Sequence, residues 1–127
     1  MSHFTKIKTQ MVVKEYLIAA LESLGYAWEE GDLTIRGFAG ARTPVELRVP
    51  TRSRGYEIGF RKQGEAYEIV ADWWGIKETS AQAFQQQLAR QYAYQAARAK
   101  LEAQGFALVN EEKGADGRLH LVLRRVS

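Results

Sequence analysis

Between Arg54 and Trp74 the apolar residues fall at every second position. Tyr56, Ile58 and Phe60 alternate with Glu57, Gly59 and Arg61. After Gln63-Gly64 the alternation resumes with Tyr67, Ile69, Ala71 and Trp73. Period-two patterning on both sides of a short Gly-containing turn predicts a β-hairpin. Gly64 supplies the positive φ that such a turn needs. This hairpin is the expected centre of the fold.

Elsewhere the period changes. His3 to Thr9 reads as a short strand. From Gln10 onward, Val13, Tyr16, Leu17, Ala20, Leu21 and Leu24 form one helical face, with Gly25 as the stop. Tyr26–Trp28 and Leu33–Gly37 predict a hairpin turning at Glu30-Gly31-Asp32. Phe38 to Thr43 is Gly/Ala-rich and reads as a loop. Val45, Leu47 and Val49 predict a strand bounded by Pro44 and Pro50, because proline lacks the ladder N–H. Thr51 to Gly55 is a basic loop. Thr79 and Gln82 have capping-box spacing at the head of a second helix, which runs to Gln104 with Phe84, Leu88, Tyr92, Ala96 and Ala99 as its stripe. Gly105 ends it. Phe106–Asn110 and Arg118–Arg125 predict a last hairpin around Asp116-Gly117.

Leu21-Glu22-Ser23-Leu24-Gly25-Tyr26 and Leu101-Glu102-Ala103-Gln104-Gly105-Phe106 are alike, and each precedes a Glu pair and a strand ending in Arg. A repeat of strand, helix and hairpin would make a pseudo-twofold α+β domain. The expectation is a single domain over residues 1–127: a mainly antiparallel sheet with two helices on one face, by analogy ferredoxin-like.

Composition narrows the classes of chemistry. At 127 residues one core is expected, and without cysteine the chain has no disulfides, thiolate catalysis or thiolate metal sites. No apolar run is long enough for a membrane span. The first ten residues lack the apolar segment of a secretory signal, and Ser2 stands where myristoylation needs glycine. Net charge is +3, but the distribution says more. Arg36, Arg42, Arg48, Arg52, Arg54, Arg61 and Lys62 meet only Glu46 and Glu57 within residues 36 to 62. Such a stretch suits an anionic partner or a solvated strand face.

Motifs for catalysis are missing. There is no GxSxG and no P-loop. The pairs Glu29-Glu30 and Glu111-Glu112 sit beside turns, where adjacent side chains point to opposite faces. His3 and His120 lack ligand spacing, and they make a metal site only if the first and last strands are neighbours and Asp72 joins them. Aromatics carry the remaining signal. Trp73 and Trp74 at a strand end face opposite ways, so one enters the core while the other stays near the surface. Tyr92 and Tyr94 lie about 200° apart on their helix, so one faces away from the sheet.

Several stretches, in this order, resemble one family: the MSHFTKIKTQ start, GYEIGF with the following YEIVADWW, QYAYQ in the second helix, and the terminal GF, DG and LVLRR. It is the family of unknown function that includes the hypothetical chloroplast open reading frame 35 proteins of algal plastids and cyanobacteria. The likeness covers nearly the whole chain and is weakest over residues 37 to 53. It implies no catalytic residue, substrate or cofactor. It implies a soluble cytoplasmic protein, stromal in plastid relatives, acting as partner or adaptor to an AAA-type ATPase.

The expected function is therefore a small non-enzymatic protein-interaction module, with no cofactor, metal or membrane, using Trp73, Trp74, Tyr92 and Tyr94. The alternative is a binder of RNA or another anionic ligand through Arg48, Arg52, Arg54, Arg61 and Lys62. A third option is a small-molecule pocket lined by Tyr56, Asp72 and Trp73.

Overall fold

A computed structural model describes residues 3–114 and 118–126. The elements are β1 (Thr5–Lys8), α1 (Lys14–Ser23), β2 (Glu29–Arg36), β3 (Arg42–Pro50), β4 (Glu57–Gln63), β5 (Ala66–Ala71), α2 (Ala81–Ala103), β6 (Phe106–Lys113) and β7 (Leu119–Arg125). Short 3-10 turns occupy Phe38–Gly40 and Trp73–Gly75. Five strands form one antiparallel sheet in the order β1-β5-β4-β3-β2, while β6 and β7 pair only with each other. The α+β class with a mainly antiparallel sheet stands.

The central hairpin is β4-β5, closed at Gln63↔Ala66 with Gly64 at φ 69°. Its alternation builds the main core. Ile58, Phe60, Tyr67, Ile69 and Ala71 join Leu47 and Val49 under Leu17, Ala20 and Leu21 of α1 and Phe84 and Leu88 of α2. Both helices thus cover the same sheet face. On the other face Ile35, Val45 and Val70 make a smaller cluster with Phe4 and Leu33. Gly59 is required there. A Cβ at that position would stand 2.3 Å from Val45 Cγ1.

Helix α1 ends as the sequence predicts. Gly25 takes φ 84°, its N–H donates to the Glu22 carbonyl, and the Tyr26 N–H reaches back to Leu21. This is a Schellman stop, with Tyr26 packed on the core. The start differs from expectation. Thr9 to Val13 stay outside the helix, where the Met11 carbonyl accepts the Tyr67 N–H of β5 and the Met11 N–H donates to Thr9 Oγ1.

Three further boundaries move. Glu29–Arg36 is one strand rather than two arms turning at Gly31. Its register with β3 shifts between Glu30 and Leu33, so the glycine marks a bulge. Val45 joins the second cluster, while Leu47 and Val49 stay in the first. Strand β3 starts before Pro44, at Arg42, and ends on Pro50 as the sequence predicts. Pro44 is tolerated because β4 pairs only from Leu47 onward, leaving β3 an edge there. At α2, Ser80 rather than Thr79 is the cap, its Oγ accepting the Ala83 N–H at 3.1 Å. Ser80 sits three residues before that amide, the spacing an N-cap needs.

The order β5-β4-β3-β2 is a meander flanked by β1, not a ferredoxin-like arrangement. The two helices share glycine stops (Gly105 at φ 91°), but the hairpin after α1 lies within the main sheet and that after α2 forms its own ribbon. The turn expected at Asp116-Gly117 lies outside the described residues.

Candidate interaction surface

The four aromatic candidates divide sharply. Trp73 enters the main core, its ring 5.7 Å from Phe84. Trp74, the next residue, is 64% exposed. Tyr94 is buried. Tyr92 is half-buried and its hydroxyl accepts the N–H groups of Val12 (3.1 Å) and Val13 (3.0 Å). Helix α1 has no side-chain cap of its own, so Tyr92 supplies one from the neighbouring helix. Trp73, Tyr92 and Tyr94 are committed within the chain, and Trp74 faces outward.

Trp74 does not stand alone. Phe38, 40% exposed, meets its ring edge-on at 5.4 Å. His3 stacks on Trp74 at 6.2 Å and meets Phe38 at 5.0 Å. The Lys77 ammonium lies 5.5 Å above the Trp74 ring. Phe38 falls in the stretch that the sequence predicts as a loop and carries no site expectation there. The available signal was an aromatic set among small residues in Gly37-Phe38-Ala39-Gly40, where no neighbour is large enough to bury it.

The mount is fixed from below. Asp72 is 1% exposed, and its Oδ2 accepts the Phe38 N–H at 2.8 Å. Its Oδ1 has no hydrogen-bond partner among the described residues, which is a costly state for a buried carboxylate. Ala39 is held in the left-handed region at φ 57°, ψ 31°, which disfavours any residue with a Cβ. Gly37 lies close under this cluster, where a Cβ would be 3.0 Å from both Asp72 Oδ2 and the Phe4 ring. Gly75 packs flat against Tyr56, leaving 2.0 Å for a Cβ. Neighbouring segments thus present Phe38 and Trp74 on short, closely packed turns.

Most of the basic candidates are engaged within the chain. Arg48 makes a two-pronged pair with Glu29 (3.0 and 2.9 Å) and donates to the Thr34 carbonyl. The hydrogen bond to Glu29 raises the Arg48 pKa and lowers that of Glu29. Arg61 binds the buried Glu68 at 2.9 Å and the Pro44 carbonyl. Lys62 lies over the Tyr67 ring at 5.4 Å. Three acids outside the counted stretch (Glu29, Glu68 and Glu78) therefore come to it in space. Arg52 and Arg54 do come together, lining a cavity of about 340 Å³ with Arg36, Tyr56 and Glu57. Arg54 makes no ion pair among the described residues.

Loop Thr51–Gly55, which carries both arginines, is anchored by Glu78. That carboxylate accepts the Arg52 N–H (2.9 Å) and the Ser53 hydroxyl (3.0 Å). Burial works against its charge, but the Arg52 backbone N–H, the Ser53 hydroxyl and the Arg52 guanidinium together hold its pKa below the usual 4.5.

β1 pairs with β5 and β7 pairs with β6, so the terminal strands are not neighbours. No group of three potential ligands forms among the described residues. Tyr56 lines the arginine cavity, whereas Asp72 is sealed beneath Phe38 and Trp73 sits in the core. No helix among the described residues is long and apolar enough to cross a membrane.

Comparison with known proteins agrees with the resemblance read from the motifs. A family described as a protein of unknown function, DUF1257, matches residues 20–122. The chain belongs to this family. Relatives include the uncharacterized protein ycf35 of Cyanophora paradoxa, 34% identical over 98% of both chains, and that of Guillardia theta, 32% identical over 98% of both. The ycf35 protein of Pyropia yezoensis is 29% identical over the same share. No solved structure matches.

Proposed function

We propose that this member of the family is a protein-interaction module, an adaptor whose docking surface is the Trp74, Phe38 and His3 cluster. The observation that carries the reading is Trp74 at 64% exposure on a short turn whose base is packed and hydrogen-bonded. A rigid, amphipathic indole is the kind of side chain that dominates binding energy in interfaces. A partner of the AAA-type ATPase class is what the motif resemblance suggests.

The test is affinity capture from native lysate with wild type and Trp74→Ala. The variant is expected to keep its thermal midpoint and lose a stoichiometric protein partner that survives nuclease. Unchanged capture by Trp74→Ala would sink the reading. The second reading, an anionic ligand such as RNA, is favoured by one observation, Arg54 without an ion pair among the described residues beside Arg36 and Arg52. It predicts nucleic acid in the captured material and loss of partners on nuclease treatment.

A further inference from the structure

The aromatic cluster and the arginine cavity are parts of one surface. Arg36 lines the cavity, and Phe38 follows two residues later. On the facing segment Trp74 and Lys77 are joined to the same cavity. The Lys77 N–H donates to Ser53 Oγ at 2.9 Å, and Gly75 lies against the Tyr56 ring that lines the cavity wall. Each segment therefore contributes one exposed aromatic and one cation to a continuous patch.

The charge of that patch is one-sided. Of its acids, Asp72 is sealed beneath Phe38 and the other two are occupied from within. Glu57 accepts the Arg36 N–H and guanidinium at 2.8 and 2.7 Å, and Glu78 accepts Arg52 and Ser53. Arg54 makes no ion pair among the described residues. The Arg52 side chain is 88% exposed and touches Glu78 only at 3.5 Å. Cations thus face solvent, with aromatics beside them.

We infer that the surface docks an acidic segment of a partner protein with an apolar anchor: the anchor packs on Trp74 and Phe38, and flanking carboxylates meet Arg54, Arg52 and Lys77. This rests on the docking reading above and specifies its ligand. A single-stranded nucleic acid fits less well. Arg48 and Arg61, which a backbone track needs, are spent on Glu29 and Glu68.

The experiment is fluorescence anisotropy on the full chain with three labelled probes: a tryptophan peptide flanked by aspartates, the same peptide flanked by serines, and an oligouridylate. Variants are Arg54→Glu and Trp74→Ala, each checked for an unchanged circular-dichroism melt. The aspartate probe is expected to bind roughly tenfold tighter than the serine probe at about 50 mM salt, with the gap closing near 200 mM and in Arg54→Glu. Trp74→Ala is expected to weaken both peptides. Equal binding of the two peptides, tighter binding of the oligouridylate, or no binding of any probe overturns the inference. Equal peptides that both weaken in Trp74→Ala overturn it while leaving the docking reading intact. Peptides indifferent to Trp74→Ala overturn both.

Discussion

At the scale of the residue, two side chains hold other elements through single acceptor groups. Tyr92 was legible as an aromatic on a helical stripe, but its hydroxyl chemistry was not. Which amides it meets depends on how α1 and α2 pack, and no local pattern encodes that. Tyr92→Phe keeps the ring against Tyr16 and removes only the acceptor for Val12 and Val13. Loss of about 1 kcal/mol is expected, as for a missing N-cap, read by urea denaturation. Asp72 acts in the same manner on Phe38. Asp72→Ala removes a charge-assisted bond of about 1.5–3 kcal/mol and frees the Phe38 turn. Near-ultraviolet circular dichroism from Trp74 is expected to weaken, and an unchanged spectrum would show that the cluster holds itself.

At the scale of the element, the hairpin β4-β5 was readable because Ile58, Phe60, Tyr67, Ile69 and Ala71 recur at every second position on the face that meets the main core. The β2 bulge was not, since Gly31 looks the same in a bulge and in a turn until the partner strand is known. The basic stretch shows the same limit. Counting along the chain finds an excess of cations, and the fold then brings Glu29, Glu68 and Glu78 to them. Trp74 was legible as one of two tryptophans on opposite faces, whereas its companions Phe38, His3 and Lys77 come from three separate segments.

Loop Thr51–Gly55 makes a pH prediction at this scale. The folded pKa of Glu78 is lowered, so its stabilising contribution is full above the ordinary value of 4.5 and drains as pH falls through the folded value. Wild type is expected to lose stability across that acid window more steeply than Glu78→Gln, whose curve has lost this one contribution. Parallel pH profiles would remove Glu78 as the anchor. Gly59→Ala tests the sheet itself. A Cβ 2.3 Å from Val45 forces repacking between Ile35, Val45 and Val70, with an expected cost of about 1–3 kcal/mol in the same denaturation assay.

At the scale of the molecule, the chain divides its stability unevenly. Strand β5 is buried on both faces and bonded on both edges, by β1 and by β4. The β6-β7 ribbon has two strands only and joins no strand of the main sheet. It exposes Val109, Val122 and Val126, and it meets the body at α2. A two-stranded ribbon is marginal without packing on one face. Amide exchange under native conditions is therefore expected to separate the two regions. The β4 and β5 amides should exchange only through global unfolding, with protection matching the denaturation free energy. Those of β7 should exchange through a smaller opening that is insensitive to low denaturant. The Gly59→Ala substitution should lower protection in β4 and β5 by its full cost and leave the local opening of β7 unchanged. Equal protection in β5 and β7, falling together in the variant, would mean that the ribbon and the sheet form one cooperative unit joined through α2.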